Sequence, residues 1–443
     1  MSRSIGGPLA CFALLLACSS PGGQRTSTGG SGGDEDTGGV TGTGGKGTGG
    51  KPGTGGAVGT GGSATGGAGG GGSGGSMGTG GQGGGNPDGG SGGGGAGGGG
   101  GGSSGALSKT ITLDTTPAGA NDMADVAKFP VAVVLNAMNF DFTKAKAKGE
   151  DIRFATADGA ALPHEIELWD AAAKVAAIWV KVDVKGNSKQ TVKMTFGDPN
   201  AADASDGKKV FDVADGYLGV WHLSEAGSTT AGGYKDSTAN ANHGQGVALT
   251  AQSVGEGRVG KATSLAHGSN QWITVDVSKT KAFDMPDKQT WSAWVFAKTH
   301  TVDYQCMLSK AGERGYRFHY FGTSTTTETC TEDMKDNDLC PVNNGGMKVT
   351  TGKWFHFFGI NDKPAHGHYI NGVREAWVTN DNGMWISDAT QPLTIGNNAT
   401  NKNRSFDGLI DEVRVWGVAK APDWGKLEYE NTREGQKLVT IAD

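Results

Sequence analysis

The chain has 443 residues, a formal net charge of −6 and 81 glycines, more than half of which lie between residues 22 and 105. A stretch so rich in glycine cannot build a hydrophobic core, so folded domains are confined to the residues that follow it, which suffice for two β domains of ordinary size. The acidic balance and the lack of a Lys/Arg cluster in the sequence argue against nucleic acid as a partner, because that binding depends on clustered cations.

Residues 1–18 predict export and lipid anchoring. Arg3 precedes an apolar run from Leu9 to Ala17, which is too short to span a bilayer as a helix and is typical of a signal peptide. The run ends in Leu-Leu-Ala-Cys18, which resembles the bacterial lipobox, whose Cys sulfur receives a diacylglycerol. With Ser19 after the Cys, the resemblance implies a protein anchored at the outer membrane or cell surface. The alternative is an ordinary signal peptide that is cleaved after Ala17.

Residues 19–106 are predicted to be a disordered linker. They repeat short motifs such as TGG and GGSGG, and apolar side chains recur at neither the helical nor the strand period. No burial therefore offsets the entropy of this chain segment. A glycine-rich coil of this length has a root-mean-square reach of roughly 50 Å, which suits a tether that holds a folded domain away from a membrane.

Residues 107–212 are predicted to form a small β-sandwich module. Apolar and polar side chains alternate, as at Ile111 and Leu113 and at Val131 and Val133, which is the pattern of half-buried strands. The segments FPVAVVLNAMNFDFTKAKAKGEDIRFATADGAALPHEIELWD and TVKMTFGDPNAADASDGKKVFD resemble a bacterial family known as domain of unknown function 2341 (DUF2341). Members look like β modules of exported proteins that often precede lectin-like domains.

Two glutamates of this module invite a catalytic interpretation. Glu165 and Glu167 lie on the same face of a predicted strand, about 7 Å apart by strand geometry, and glycoside hydrolases use paired carboxylates. A third acidic partner is missing, because Trp169 occupies that face and Asp170 points away. We therefore predict that the two glutamates lie on an exposed, non-catalytic face of the strand.

Residues 213–443 are predicted to form a second all-β module. Asn371-Gly372 between two short strands is the strongest short-range signal for a type I′ hairpin, and Pro422–Arg433 predicts a short helix with Pro near its first turn. The segments that carry a family resemblance are, in order, GYLGVWHLSE, KDSTANANHGQG, TWSAWVFA, GKWFHFFGIND, HYINGVREA, PLTIGNN and FDGLIDEVRVWGVA. They resemble the concanavalin A-like, laminin-G-like (LamG-like) jelly-roll superfamily, which implies two facing antiparallel sheets and commonly a bound calcium ion.

Calcium is the cofactor that this resemblance implies. Calcium takes six to eight oxygen ligands, and the loop from Asp236 to Asn242 offers Asp236, Asn240 and Asn242 among small residues. In related jelly rolls the last strand contributes an aspartate, which here corresponds to Asp411. We expect a structural calcium site at Asp236, Asn240 and Asp411. The alternative is that Asp236 caps a turn and Asp411 makes a structural hydrogen bond.

The cysteine and histidine side chains have two interpretations, a structural role and the binding of a metal ion. Cys330 and Cys340 bracket a polar insertion, where a disulfide would stabilise the fold by roughly 2–3 kcal/mol, and an exported compartment permits the bond. Their spacing lacks the short ligand pairing of zinc knuckles. Cys306 is expected to be a buried thiol. His366 and His368 share a strand face and are predicted to be surface residues.

The tryptophans divide into core and candidate ligand-binding residues. Trp221, Trp294 and Trp354 fall in strand segments that match the superfamily's core pattern and are predicted to be buried. Trp377 and Trp385 flank the polar segment TNDNGM, where an exposed indole needs a reason. We predict ligand contact for these two, with loop packing as the alternative.

These patterns predict an all-β protein with two β-sandwich modules, the C-terminal one a jelly roll, after a disordered linker. The expected function is non-catalytic recognition of a glycan or a surface protein by a lipid-anchored cell-surface protein. The alternatives are a polysaccharide hydrolase or lyase on the same fold and a structural spacer of the envelope. Such enzymes of the superfamily use a triplet of acids on one strand, or a His/Tyr/Arg set in a groove. We find no such triplet in the sequence, and fold alone does not confer activity.

Overall fold

A computed structural model describes residues 107–284, 287–312, 315–332, 338–343, 345–379 and 388–442. The predictions for Cys18, for the segments 1–18 and 19–106, and for Trp385 lie outside these residues. Within the described ranges, none of the helices is both long enough and apolar enough to cross a bilayer.

The described chain is almost entirely β-structure, which confirms the predicted fold class. The N-terminal part contains strands β1 (Leu107–Asp114), β2 (Val126–Asn136), β3 (Arg153–Thr156), β4 (Ala161–Leu162), β5 (His164–Asp170), β6 (Val175–Val184) and β7 (Lys189–Phe196) and the helix α1 (Gly207–Val210). The C-terminal part contains strands β8 (Tyr217–Trp221), β9 (Gly244–Val247), β10 (Val254–Glu256), β11 (Lys261–Leu265), β12 (Trp272–Val275), β13 (Lys288–Ala297), β14 (Cys306–Lys310), β15 (Tyr316–Tyr320), β16 (Thr327–Glu332), β17 (Asp338–Leu339), β18 (Trp354–Asp362), β19 (Ala365–Ile370), β20 (Val373–Val378), β21 (Leu393–Ile395), β22 (Gly408–Trp416) and β23 (Val439–Ala442), and the helices α2 (Val277–Thr280) and α3 (Pro422–Thr432).

Two antiparallel sheets form the first module. One has the strand order β23-β1-β7-β3-β4 and the other has the order β2-β6-β5. Ile111 and Leu113 of β1 and Val131 and Val133 of β2 are buried in one core, because side chains two residues apart on a strand point to the same face. The alternation in the sequence therefore corresponds to the inner faces of a sandwich.

Two larger antiparallel sheets form the second module. The eight-stranded sheet has the order β10-β11-β22-β13-β18-β19-β20, with β8 also paired to β22, and the seven-stranded sheet has the order β17-β16-β15-β14-β21-β12-β9. Their inner faces share one core, in which Phe318 of β15 meets Phe357 of β18 with ring centroids 4.5 Å apart. This is the facing pair of sheets that the jelly-roll resemblance implies.

Two local predictions in this module are confirmed. Asn371 and Gly372 connect β19 to β20 with φ values of 51° and 76°, the left-handed conformations that a type I′ turn requires. Helix α3 begins at Pro422, where the missing N–H of proline leaves no intrahelical hydrogen bond unmade.

The last strand differs from the sequence-based division of the chain. β23 pairs with β1 over Thr110–Leu113 and so completes a sheet of the first module, although the predicted boundary assigned it to the second. Leu438 and Val439 are buried in the first module's core. This pairing covers the edge of β1, which would otherwise present unpaired N–H and C=O groups.

The two modules share a hydrophobic core. The cluster that begins in the first module continues through Phe358, Trp416 and Trp424 of the second. Phe129 of β2 contacts Trp424 of α3 with ring centroids 5.3 Å apart, and the side-chain amide of Asn431 in α3 hydrogen bonds to the backbone N–H and C=O of Ala132. The modules are therefore packed against each other.

Candidate functional site

The outer face of the eight-stranded sheet carries the side chains that face the first module and helix α3. On β13, Trp291 and Val295 point into the core between the sheets, so Trp294 and Phe296 point outward. Trp294 is paired with His356 of β18, and Phe296 with Trp354. This face holds a buried charged cluster and, beside it, an open cleft.

A buried histidine lies at the centre of the charged cluster. His222 Nδ1 is 2.8 Å from Glu412 Oε1, and His222 Nε2 is 3.3 Å from Glu165 Oε2. Burial by itself lowers the pKa of His222, but the carboxylates of Glu412, Glu167 and Glu165 outweigh burial and raise it well above 6.5. The imidazolium therefore connects Glu165 of β5 to Glu412 of β22, one residue from each module.

Glu167 is the most deeply buried of the three carboxylates, with 2% of its side chain exposed. Its oxygens accept hydrogen bonds from Trp179 Nε1 at 2.8 Å and from Ser224 Oγ at 2.5 Å. Burial, and then repulsion from Glu412, raises its pKa to about 8. The prediction that Glu165 and Glu167 lie on an exposed face is wrong, because the second module covers that face, and strand alternation alone does not reveal such a cover.

Arg414 pairs with two acidic side chains of the cluster, Glu412 and Glu428. Arg414 donates to Glu412 at 2.8 Å and to Glu428 of α3 at 2.9 Å, and its guanidinium lies 4.4 Å from the ring centroid of Trp179. Burial alone raises the pKa of Glu412, but His222 and Arg414 lower it below its usual value. The cluster thus holds strand β22, helix α3 and the first module together through paired charges, which resist separation because each partner would be left unpaired.

Two groups of side chains have the spacing of metal ligands among the described residues. Donor atoms of Glu167, His222 and Glu412 lie within 4.8 Å of one another, and their hydrogen bonds with Trp179, Ser224 and Arg414 already give them structural partners. The second group consists of His319, Glu328 and Cys330, but the sulfur of Cys330 is bonded to Cys340 and is not a thiolate.

The predicted calcium residues make hydrogen bonds within the protein. The carboxylate of Asp236 accepts from the backbone N–H groups of Val220, Thr238 and Asn242 and from the Thr238 hydroxyl. Asn240 donates to the backbone carbonyls of Tyr217 and Leu218. The structure thus brings Asp236 and Asn240 together around the start of β8 and the loop that follows it.

Asp411 makes contacts of its own. One carboxylate oxygen accepts from the backbone N–H groups of Arg258 and Val259 at 2.6 Å and 3.2 Å. These bonds, like those of Asp236, fit the alternative in which both aspartates have structural hydrogen-bonding roles. Calcium binding by Asp236, Asn240 and Asp411 stays a prediction.

The structure confirms both predictions for the cysteine side chains and corrects the prediction for the histidines. Cys330 and Cys340 form a disulfide, and Cys306 is a buried thiol that contacts the carbonyls of Leu308 and Phe318. His366 and His368 were predicted on the surface, yet both are buried. His368 lies between hydroxyls, 3.1 Å from Thr327 Oγ1 and 2.6 Å from Thr329 Oγ1, and burial lowers its pKa to about 3.

Trp377 lies on strand β20 and is half-buried. Its ring contacts Tyr369 at a centroid distance of 6.1 Å and Arg374 at 5.9 Å. These contacts fit the packing alternative, and ligand binding by Trp377 and Trp385 stays a prediction.

An open cleft of about 410 Å³ lies on the same outer face, beside the end of α3. It is lined by Arg258, Trp294, Phe296, Gly352, Lys353, Trp354, Asn371, Tyr429, Arg433 and Glu434. We call it the aromatic cleft, because Phe296, Trp354 and Tyr429 are half-buried and line its walls. The rings of Phe296 and Trp354 lie 5.7 Å apart. The volume falls within the range of small-molecule sites, and apolar walls with a few polar groups are typical of them.

The sequence-based assignment missed this cleft. Trp294 is buried as predicted, but Trp354, predicted to be buried, is half-buried in the cleft wall. The alternation of strand β18 could have shown that Trp354 points away from the inner core. Phe355 and Phe357 fill that core, so Trp354, His356 and Phe358 lie on the opposite face of the strand. What the period could not show is where helix α3 stops covering this face.

Family models match two parts of the chain. Residues 148–223 match the domain of unknown function DUF2341, and residues 267–424 match the concanavalin A-like lectin/glucanases superfamily. The chain carries a DUF2341 segment followed by a concanavalin A-like domain. This order confirms the resemblance found in the sequence. The DUF2341 match extends to the segment of the second module that contains His222, so Glu165, Glu167 and His222 all lie within it.

Several solved structures are similar to about half of this chain at low sequence identity. Domain 4 of AbnA, a GH43 extracellular arabinanase from Geobacillus stearothermophilus, solved in complex with arabinotriose, is 18% identical with a TM-score of 0.37, covering 49% of this chain and 98% of that one. The binding domain of Paraclostridial Mosquitocidal Protein 1 is 14% identical with a TM-score of 0.39, covering 49% and 53%. The receptor binding domain of botulinum neurotoxin mosaic serotype C/D is 12% identical with a TM-score of 0.38, covering 49% and 51%. The chain thus spans about half the length of the two toxin structures. None of the curated protein sequences compared matches the chain.

Proposed function

We propose that this protein is a non-catalytic recognition protein of the cell surface that binds a glycan in the aromatic cleft. The observation that carries the proposal is the meeting of three half-buried aromatic side chains, Phe296, Trp354 and Tyr429, in one cleft of about 410 Å³. Aromatic faces stack on the apolar faces of sugar rings, and nearby polar groups hydrogen bond to the hydroxyls. A lipid on Cys18 and the linker 19–106 would hold this domain at the outer membrane.

The positions of the candidate catalytic carboxylates support a binding role. Glycoside hydrolysis needs two carboxyl groups on opposite sides of a substrate cleft. Glu165 does not take part in such an arrangement. Its carboxylate oxygens lie 2.7 Å from Ser237 Oγ and 3.3 Å from His222 Nε2. Glu167 is held by Trp179 and Ser224. Both glutamates thus join the two modules, and neither lines the aromatic cleft.

Replacement of one aromatic wall residue tests the proposal. Trp354→Ala should weaken capture of a bound polysaccharide by about 1 kcal/mol or more, the usual effect of removing an aromatic anchor. The full-length chain and the variant would be compared on a glycan array and by titration calorimetry with the polysaccharides that bind.

Trp272→Ala is the matched control, because Trp272 is also half-buried, on β12 of the other sheet. It should leave the affinity unchanged. Equal losses in the two variants would place the binding site elsewhere, and polysaccharide cleavage that Glu165→Gln abolishes would make the protein an enzyme.

A further inference from the structure

More cationic than acidic side chains line the aromatic cleft. Three cationic side chains, Arg258, Lys353 and Arg433, and one acidic side chain, Glu434, face it. Arg433 is paired with Glu430 at 2.7 Å. Among the described residues, no carboxylate forms an ion pair with Arg258 or Lys353, and Glu434 and Asp411 attract Arg258 only at longer range. The cleft therefore offers cations whose charge the protein does not neutralise by direct contact.

Arg258 is fixed in place by its own hydrogen bonds. Its Nε and Nη2 atoms donate to the backbone carbonyl of Thr432 at 3.3 Å and 3.1 Å, and its guanidinium lies 5.3 Å from the ring centroid of Trp294. Its backbone N–H donates to Asp411. A guanidinium has five N–H donors, so these bonds orient the group and leave the second N–H of Nη2 and both N–H groups of Nη1 for a ligand.

A cation held in this way is suited to an oxyanion. The planar guanidinium matches a carboxylate or a sulfate with two parallel hydrogen bonds, and little entropy is lost when the side chain is already ordered. Lys353 is exposed and also lines the cleft, where it adds a second positive charge. Phe296 and Trp354 lie in the same cleft and supply apolar faces for a sugar ring.

We propose that the aromatic cleft binds an anionic saccharide, with the carboxylate or sulfate group held by Arg258 and the sugar ring packed against Trp354 and Phe296. The inference rests on the proposed function and adds the chemical class of the glycan. Lys353 strengthens the attraction as the polymer approaches, and this contribution weakens as salt is added.

The test uses matched charged and neutral polymers on the purified full-length chain. The probes are polygalacturonate with its carboxyl-reduced form, and dextran sulfate with dextran. We expect a charged polymer to bind and its neutral counterpart to bind at least about tenfold more weakly, because hydrogen bonds to charged groups are the stronger ones. Binding of polygalacturonate alone would identify a carboxylate, and binding of dextran sulfate alone a sulfate; either result supports the proposal.

Variants locate the site. Arg258→Gln should reduce binding of the charged polymer roughly 10- to 100-fold, whereas Arg153→Gln should not. Arg153 is a matched control, because its guanidinium also donates to backbone carbonyls, those of Glu150, Ile152 and Ala202 in the first module. If Arg258→Gln fails to fold, Lys353→Glu is compared with Lys348→Glu, both exposed lysines, of which Lys353 alone lines the cleft.

The possible failures are distinguishable. Equal affinity for a charged polymer and its neutral form would overturn the anionic ligand while leaving glycan binding intact. Equal losses in the Arg258 and Arg153 variants, or in the two lysine variants, would overturn the assignment to this cleft. Binding of none of the glycans, on the array or among these polymers, would overturn both proposals.

Discussion

Glu412 has a backbone conformation that few non-glycine residues adopt, with φ at 52°. It lies in a β-bulge of β22. Asp411 pairs with Trp294 of β13 and Arg414 pairs with Ser292, so β22 has one more residue than β13 between these two pairs. A bulge adds one residue to a strand and changes the direction of its side chains. Here it lets Glu412 reach His222 and Arg414, so the strain at one residue is linked to the charged contacts between the modules.

The pH dependence of stability should reflect Glu167. Because its pKa is raised from 4.5 to about 8, the folded state binds a proton that the unfolded state releases. The stabilisation is complete below pH 4.5 and is lost as the pH rises through about 8. We expect the free energy of unfolding, measured by urea denaturation, to fall between pH 5 and 8 by on the order of a few kcal/mol, and Glu167→Gln to remove part of this fall.

Two neighbouring groups, His222 and Asp411, also affect the pH dependence of stability. The stabilisation from His222, whose pKa is also raised, persists until the pH passes its raised pKa. The pKa of Asp411 is raised, first by burial and then by Glu412 and Glu167, so some of the fall should remain in the variant. Glu256→Gln is the control, because 85% of the Glu256 side chain is exposed. A profile that is the same in the Glu167 variant as in the parent would contradict the buried position of this carboxyl.

Calcium binding is the second prediction at this scale. If Asp236, Asn240 and Asp411 bind the ion, calcium should raise the melting temperature of the metal-stripped full-length chain, since a ligand of the folded state alone stabilises by roughly 2.7 kcal/mol at a hundredfold excess over Kd. Asp411→Asn should abolish the increase. Identical melting curves with calcium and with chelator would favour the purely structural hydrogen bonds of these aspartates.

Among the elements, strand β23 connects the two ends of the described chain. Its residues Val439–Ala442 pair with Leu113–Thr110 of β1, and the backbone N–H of Asp114 donates to the carbonyl of Leu438. The first module therefore depends on residues that follow the whole second module in sequence. Such long-range pairing makes the two modules parts of one folding unit.

Leu438→Ala tests this dependence. Leu438 is fully buried in the first module's core, and replacing such a leucine with alanine costs about 2–5 kcal/mol. We expect a loss of this size in the free energy of unfolding, measured by urea denaturation, and a single transition when fluorescence and circular dichroism are followed together. Thr440→Ala, at an exposed position of β23, should change stability little. Separate transitions for the two modules would contradict the shared core.

At the scale of the whole molecule, lipid anchoring is the prediction to be tested. If Cys18 carries the lipid, Cys18→Ser should move the protein from the membrane fraction to the soluble fraction and abolish labelling by a palmitate analogue, because a lipidated Cys gains about 0.8 kcal/mol for each buried methylene. Cys11→Ser is the control and should stay in the membrane fraction. Unchanged membrane partition of the Cys18 variant would remove the anchor from the proposed function.

The sequence determined the features that depend on local physics. Strand period two predicted the all-β class, the left-handed preference of Asn371-Gly372 predicted the hairpin, and Pro422 predicted the start of α3. Each of these follows from the conformations open to a few neighbouring residues. The Cys330–Cys340 disulfide was also predictable, because a short insertion keeps the two sulfurs close.

Only the tertiary structure decided which faces are covered. Alternation shows that Glu165 and Glu167 share a face, but not that His222 and Ser224 of another module bury it. It shows likewise that Trp354 and Phe296 point away from the inner core, but not that α3 ends beside them and leaves a cleft. These outcomes depend on contacts between residues far apart in the chain, which no local pattern of polarity encodes.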